Sequence, residues 1–102
     1  MNVAYRKKNY KIYFFDNGGY IIHNTKGEFS QHHTHINNYN TAKYLIDLSI
    51  HNTVPYHLSN YLLESLLRIS LDENYKRKIR NIIEKQKSHR WIITYEIIKL
   101  FS

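Results

Sequence analysis

The chain of 102 residues is long enough for one compact domain with a modest core and too short for two domains of the usual size. It contains no cysteine, which excludes a disulfide framework and thiolate chemistry, so any metal site would depend on histidines and carboxylates. Fifteen lysines and arginines against eight aspartates and glutamates give a formal charge of +7, which favours nucleic acid, an acidic protein surface or an anionic membrane as partner.

The first third of the chain predicts an antiparallel β-meander of three strands within residues 10–36. Aromatic and β-branched residues, which favour strands, alternate here with clusters of Asn, Asp, Gly and Thr, which favour turns. The expected strands are Tyr10–Phe15, Tyr20–His23 and Phe29–Ile36. The expected turns between them are Asp16–Gly19 and Thr25–Glu28.

The rest of the chain predicts three to four short α-helices, so the expected fold class is α+β in a single domain, residues 1–102. Thr53 is a candidate N-cap for the second helix, with Pro55 at its start, and Ser70 with Glu73 fits a capping box for the third. The last segment also alternates like a strand, and a helix is the interpretation adopted. The expected helices are residues 41–51, 55–69, 72–87 and 91–101.

The second of these helices carries the widest apolar face of the chain, with leucines on most of its circumference. A helix that is apolar on so many sides is typical of a buried position. We therefore expect this helix at the centre of the core, with Leu62 and Leu66 among its most buried residues.

Basic side chains concentrate between Arg68 and Arg90, a stretch that holds eight of the fifteen positive side chains and three carboxylates. Such clusters bind phosphate backbones because each neutralised phosphate releases counterions. An ordinary solvated helix face is the alternative, and the N-terminal cations would extend the patch if their strand lies beside the third helix. The candidate residues for binding nucleic acid or an acidic partner are Arg6, Lys7, Lys8, Lys76, Arg77, Lys78, Arg80, Lys85, Lys87 and Arg90.

Aromatic side chains on the sheet are a second candidate contact surface, since the chain has ten tyrosines. Exposed rings can stack on bases or anchor a partner protein, whereas buried rings belong to the core. Tyr10, Tyr13 and Tyr20 are the candidate contacts.

Histidines cluster at residues 32–35 with a spacing that metal ligands can have. His33 and His35 point to the same face of a strand, and His23 on the neighbouring strand could join them. No carboxylate lies nearby in the sequence to orient the ligands or to act as a base, so we expect neither a metal nor another cofactor.

His33-Thr34-His35, followed by Tyr39 and Lys43, resembles the His-x-His and Tyr-x-x-x-Lys elements of rolling-circle replication endonucleases. In that family the middle residue of the first element is usually hydrophobic, and the tyrosine helix comes much later in the chain. We therefore expect Tyr39 not to be a nucleophile and the protein not to be an enzyme.

The N-terminus has no apolar run behind its charges, and no segment approaches the roughly 18 apolar residues of a membrane span, so we expect a cytoplasmic protein. Heavy use of Ile, Asn, Lys and Tyr is typical of AT-rich codons. In composition, length and order of elements the chain resembles small accessory proteins of phages and mobile elements of low-GC Gram-positive bacteria, a group that includes anti-CRISPR proteins.

That resemblance implies a binding protein that regulates or inhibits host machinery. Together with the basic third helix it predicts a non-catalytic protein that engages nucleic acid or a nucleoprotein complex. The alternative is an inhibitor that contacts protein alone through an aromatic sheet face, and a more distant alternative is an enzyme with a histidine-based metal site.

Overall fold

A computed structural model describes residues 2–101 of the chain, with side chains described for residues 2–87. Four strands precede three helices, which confirms the predicted α+β class. The strands are β1 (Asn2–Lys7), β2 (Tyr10–Phe14), β3 (Tyr20–Asn24) and β4 (His33–Ile36), and the helices are α1 (Tyr39–Ile50), α2 (Asn60–Ile69) and α3 (Glu73–Phe101).

The sheet is an antiparallel meander of four strands in the order β1-β2-β3-β4, so the prediction of three strands missed β1. Most side chains of β1 are exposed, so its sequence lacks the apolar alternation that predicts a strand. Its backbone is nevertheless paired with β2, from Val3 opposite Tyr13 to Lys7 opposite Tyr10. The turn between them places Lys8 in the left-handed region, with φ of 53°.

The residues that cap the N-termini of α2 and α3 differ from the predicted ones. α2 begins at Asn60 instead of at Pro55, because the Ser59 side chain accepts a hydrogen bond from the backbone N–H of Leu62. Thr53, the predicted cap, lies in the loop between α1 and α2. The predicted capping box is also wrong, since the side chain of Asp72 accepts from the backbone N–H of Tyr75 at the start of α3.

α3 joins the third and fourth predicted helices into one helix of 29 residues. Neither glycine nor proline stands between residues 87 and 91, so no helix breaker separates the two segments. Within the part of the chain whose side chains are described, no helix combines the length and the apolar composition that crossing a bilayer requires.

The core lies between one face of the sheet and the helices α1 and α2, and α3 packs against α2. Leu66 is fully buried there as expected, whereas Leu62 is only partly buried at the edge of the core. Buried polar side chains connect the layers: Asn24 Nδ2 donates to the carbonyl of Ile69 at 2.8 Å, and Thr34 Oγ1 donates to Ser65 Oγ at 3.0 Å.

Candidate nucleic-acid interface

Four cations of α3 fall on two flanks of the helix, on either side of its buried stripe. The stripe consists of Tyr75, Ile79, Ile82 and Ile83, all of which are buried. Residues three, four or seven apart share a helix face. On one flank, which we call the paired flank, this spacing places Lys76, Arg80, Glu73 and Glu84. On the other, which we call the open flank, it places Lys78, Lys85, Asn74 and Asn81.

The paired flank carries its own counterions. Glu73 Oε1 lies 3.7 Å from Lys76 Nζ, and Glu73 Oε2 lies 3.8 Å from Arg80 Nη1. Glu84 lies on the same flank, four residues after Arg80. These carboxylates lower the potential that the paired flank can offer to an anion.

The open flank faces a groove. Lys78, Asn81 and Lys85 form one wall of the groove, the loop Asn52–Tyr56 forms the other, and the volume between them is 620 Å³. Among the described residues that line the groove there is no carboxylate. Tyr56 stands at its rim with three quarters of its surface exposed (75%). The groove therefore combines two cations, two amides and an accessible ring.

Two hydrogen-bonding side chains of α3 hold this loop in place. Gln86 Nε2 donates to the carbonyl of Tyr56 at 3.1 Å and to that of Leu58 at 2.8 Å. Tyr75 Oη donates to the carbonyl of Thr53 at 2.8 Å. Burial raises the pKa of Tyr75, and the nearby Tyr10 adds to the effect, so the phenol keeps the proton that it donates. Side chains of α3 thus hold the loop that forms the second wall of the groove in place.

The predicted N-terminal extension of the basic patch is not seen in the part of the chain whose side chains are described, where β1 is the edge strand next to β2 and does not pack on α3. Lys7 Nζ forms an ion pair with Asp47 Oδ1 of α1 at 2.7 Å, and this hydrogen bond raises the pKa of Lys7. Arg6 pairs with Lys11 across the sheet. Lys8 does approach α3, across a cleft of 290 Å³ that Asp72 also lines.

The other cations predicted on α3 divide by exposure. Arg77 and Lys87 are exposed, and the side chain of Arg90 lies outside the described residues. Lys76, in contrast, is largely covered, since its side chain is 18% exposed and ion-paired. The nine predicted residues whose side chains are described therefore do not form one surface, and of these nine only Lys78 and Lys85 line the groove.

The three candidate aromatic contacts have different environments. Tyr10 is buried (6% exposed) and shares a hydrogen bond of 2.7 Å with Ser49 Oγ, so its prediction as a contact residue is wrong. Its side chain points into the core because it alternates with Lys11. Tyr20 is half-buried, with its ring 5.6 Å from that of Tyr39. Tyr13 is half-buried on the opposite face of the sheet.

The histidines near β4 bind backbone carbonyls. His33 Nδ1 lies 2.5 Å from the carbonyl oxygen of Phe29, and His23 Nε2 lies 3.1 Å from that of Gly27. A carbonyl oxygen only accepts, so these ring nitrogens carry hydrogens and donate. In the part of the chain whose side chains are described, no three histidines or carboxylates are arranged to hold a metal ion.

Tyr39 and Lys43, the pair that resembles an endonuclease element, lie among aromatic rings. Tyr39 Oη donates to the carbonyl of Ala4 at 3.3 Å, and its ring packs against those of Tyr5 and Tyr20. Lys43 Nζ lies 5.3 Å from the ring centres of both Tyr5 and Tyr39. Cation–π and edge contacts of this kind fasten α1 to the sheet.

Sequence reasoning missed Tyr56 and Asn81 as candidate functional residues. A tyrosine directly after a proline in a loop was the available signal for Tyr56, since loops expose their side chains. Comparison of the chain with protein-family models, with curated proteins and with solved structures gave no match.

Proposed function

We propose that this protein binds nucleic acid in the groove between α3 and the loop Asn52–Tyr56, without catalysis. The observation that carries the proposal is the separation of charges on α3. On one flank Glu73 pairs with both Lys76 and Arg80, whereas on the other Lys78 and Lys85 line a groove with no carboxylate among its described lining residues.

The groove suits a phosphate backbone. Lys78 and Lys85 are seven residues apart, or about 10 Å along the helix axis, so they can meet different phosphates of one strand. Neutralised phosphates release counterions, which makes each contact favourable at low salt. Asn81 between them can donate to a phosphate or sugar oxygen. The exposed ring of Tyr56 offers a stacking surface at the rim of the same groove.

The composition of the groove supports binding instead of catalysis. Its described lining residues include neither histidine nor a carboxylate, the side chains that most often act as general acid or base. A small, basic and non-catalytic protein that occupies nucleic acid or a nucleoprotein complex would act as a regulator or inhibitor of host machinery, in the cytoplasm of a bacterial host.

The test compares two variants with the same net charge. Lys78→Gln with Lys85→Gln removes both cations of the open flank, and Lys76→Gln with Arg80→Gln removes two from the paired flank. Fluorescence anisotropy with labelled DNA and RNA at several salt concentrations measures binding. For duplex DNA, the open-flank variant should reduce the slope of log K against log salt by about 1.8, about 0.9 for each contact. The paired-flank variant should change it little.

Equal losses in both variants would mean that net charge alone drives binding, and the groove proposal would then be wrong. Circular dichroism of both variants verifies that they are folded. If the wild type binds neither polymer at low salt, the nucleic-acid function is excluded. An inhibitor that contacts only protein then becomes the leading hypothesis.

A further inference from the structure

The sheet has an outer face on which no helix packs among residues 2–87, whose side chains are described. α1 and α2 cover the inner face, where Ile12 and Ile22 belong to the core. Neighbouring residues of a strand point to opposite faces, so Lys11, Tyr13, Ile21 and other alternating residues point outward. The register of the strands arranges these outward side chains in two rows that cross all four strands.

One of these rows is basic. Arg6 is opposite Lys11, Lys11 is opposite His23, and His23 is opposite His33, so each strand contributes one cationic or imidazole side chain. With strands about 4.8 Å apart, the row extends about 14 Å across the sheet. Like charges directly opposite each other destabilise a sheet. Arg6 and Lys11 are nonetheless direct partners, and the row contains no carboxylate.

The neighbouring row is apolar and aromatic. It consists of Val3, Tyr13, Ile21 and His35. Ile21 is only 4% exposed although it is outside the core cluster, so its neighbours on the outer face cover it. Val3, in contrast, is exposed at the edge of the sheet.

Phe29, from the loop between β3 and β4, joins the two rows. Its ring is parallel to that of His33, with centres 4.6 Å apart and an angle of 3°. It also meets the rings of His23 at 5.1 Å and Tyr13 at 6.4 Å, both edge-on. Phe29 is still 38% exposed, so this ring cluster faces solvent beside the basic row.

We propose that the outer face of the sheet is a second binding surface, separate from the groove, and that it takes single-stranded nucleic acid. Arg6 and Lys11 attract the phosphates, and unpaired bases stack on the exposed ring cluster that Phe29 forms with Tyr13, His23 and His33. The row of cations without a carboxylate argues for a polyanion, and the adjoining exposed rings argue for one whose bases are free. A duplex keeps its bases stacked inside and offers such rings nothing to bind.

The test uses labelled single-stranded oligonucleotides, DNA and RNA, and a duplex of the same length. Arg6→Gln with Lys11→Gln should reduce the salt slope for the single strand by about 1.4, about 0.7 for each contact. Phe29→Leu removes the ring and keeps an apolar side chain, and it should weaken single-strand binding about tenfold while duplex binding stays within twofold. The folded Lys76→Gln, Arg80→Gln variant is the control with matched net charge.

The outcomes separate this proposal from the groove. If the open-flank variant loses affinity and both sheet variants bind single strands like the wild type, the outer face is not a nucleic-acid surface and the groove proposal stands. If the sheet variants alone lose single-strand affinity, the outer face is supported and the groove proposal fails. Binding of polyglutamate but of no oligonucleotide, abolished by Arg6→Gln with Lys11→Gln, would assign the face to acidic proteins and overturn the proposal.

Discussion

Single buried polar residues connect the core of this protein with its candidate groove. Tyr75 is the clearest of them, because its ring lies in the core and its hydroxyl reaches the carbonyl of Thr53 in the loop that forms the groove. Asn24 has a comparable position: its side chain donates to the last carbonyl of α2, that of Ile69, and accepts from Asn9 Nδ2 at 2.7 Å. Such residues specify geometry because a lost partner leaves a buried polar group unsatisfied.

The raised pKa of Tyr75 predicts a loss of stability in alkaline solution. The folded protein holds the phenolic proton more tightly than the unfolded chain, where the pKa is about 10. The stability that the protonated phenol contributes is complete below pH 10. It is lost as the pH rises from 10 toward the pKa of the folded state. Urea denaturation at pH 8 and above pH 10 measures the free energy of unfolding. This energy should fall less between the two pH values for Tyr75→Phe than for the wild type.

Tyr44→Phe serves as the control for this prediction, because Tyr44 is exposed on α1. It should leave the alkaline decline unchanged. At pH 8 Tyr75→Phe should already be about 1 kcal/mol less stable, since the hydrogen bond to Thr53 is lost. The same decline in all three proteins would show that other groups cause it.

At the scale of the element, α2 joins the layers, since it packs on β3 and β4 on one side and on α3 on the other. Its leucines are equivalent in a count of apolar residues but differ in position around the helix. Leu63 and Leu66 are fully buried, whereas Leu62 and Leu67 are partly buried at the margin. A wide apolar face therefore has a centre and an edge, and only contact with the other layers distinguishes them.

This difference predicts unequal effects for two identical substitutions in α2. Leu66→Ala leaves a cavity that the surrounding layers can fill only partly, and it should lower the free energy of unfolding by roughly 2–5 kcal/mol. Leu62→Ala removes a side chain that is already partly solvated, and it should lower that energy by less than half as much. Urea denaturation followed by circular dichroism measures both, and equal losses would place Leu62 in the core.

At the scale of the whole molecule, carboxylates are unevenly distributed among the cations. Asp47 of α1 pairs with Lys7 of β1 and Glu73 of α3 pairs with Lys76, whereas Lys78 and Lys85 of the open flank line a groove with no carboxylate among its described lining residues. The outer face has cations and imidazoles in register and no carboxylate in either row. The groove and the two rows of the outer face thus carry cations without a carboxylate among their described residues.

The fold as a whole should not depend on metal. The described layers are held together by an apolar core, and the His23 and His33 rings each donate to a carbonyl oxygen. We expect EDTA to change the melting temperature by no more than the error of the measurement. A large drop in the melting temperature, together with stoichiometric zinc by elemental analysis, would contradict this expectation and support a histidine-based metal site.

Part of the candidate site could be predicted from the sequence. The excess of cations on the third helix is a property of composition, and its helical spacing follows from the 3.6-residue period, so Lys78 and Lys85 were among the candidates. Their separation from Lys76 and Arg80 around the helix follows from the same period. The groove could not be predicted, because it depends on the loop that Gln86 and Tyr75 hold beside the open flank.

The sequence by itself determined the α+β class, three of the four strands of the meander and the approximate positions of the helices, because these follow from local periodicity and turn chemistry. Only the tertiary structure decided which residues share a surface. β1 exists because β2 offers its backbone an edge, Ser59 caps α2 where Thr53 was expected to, and Tyr10 is buried by α1. Pairing and burial depend on residues distant in the chain, as Tyr10 depends on Ser49, and the loop that contains Thr53 is held by Tyr75 and Gln86 of α3, so local patterns do not predict them.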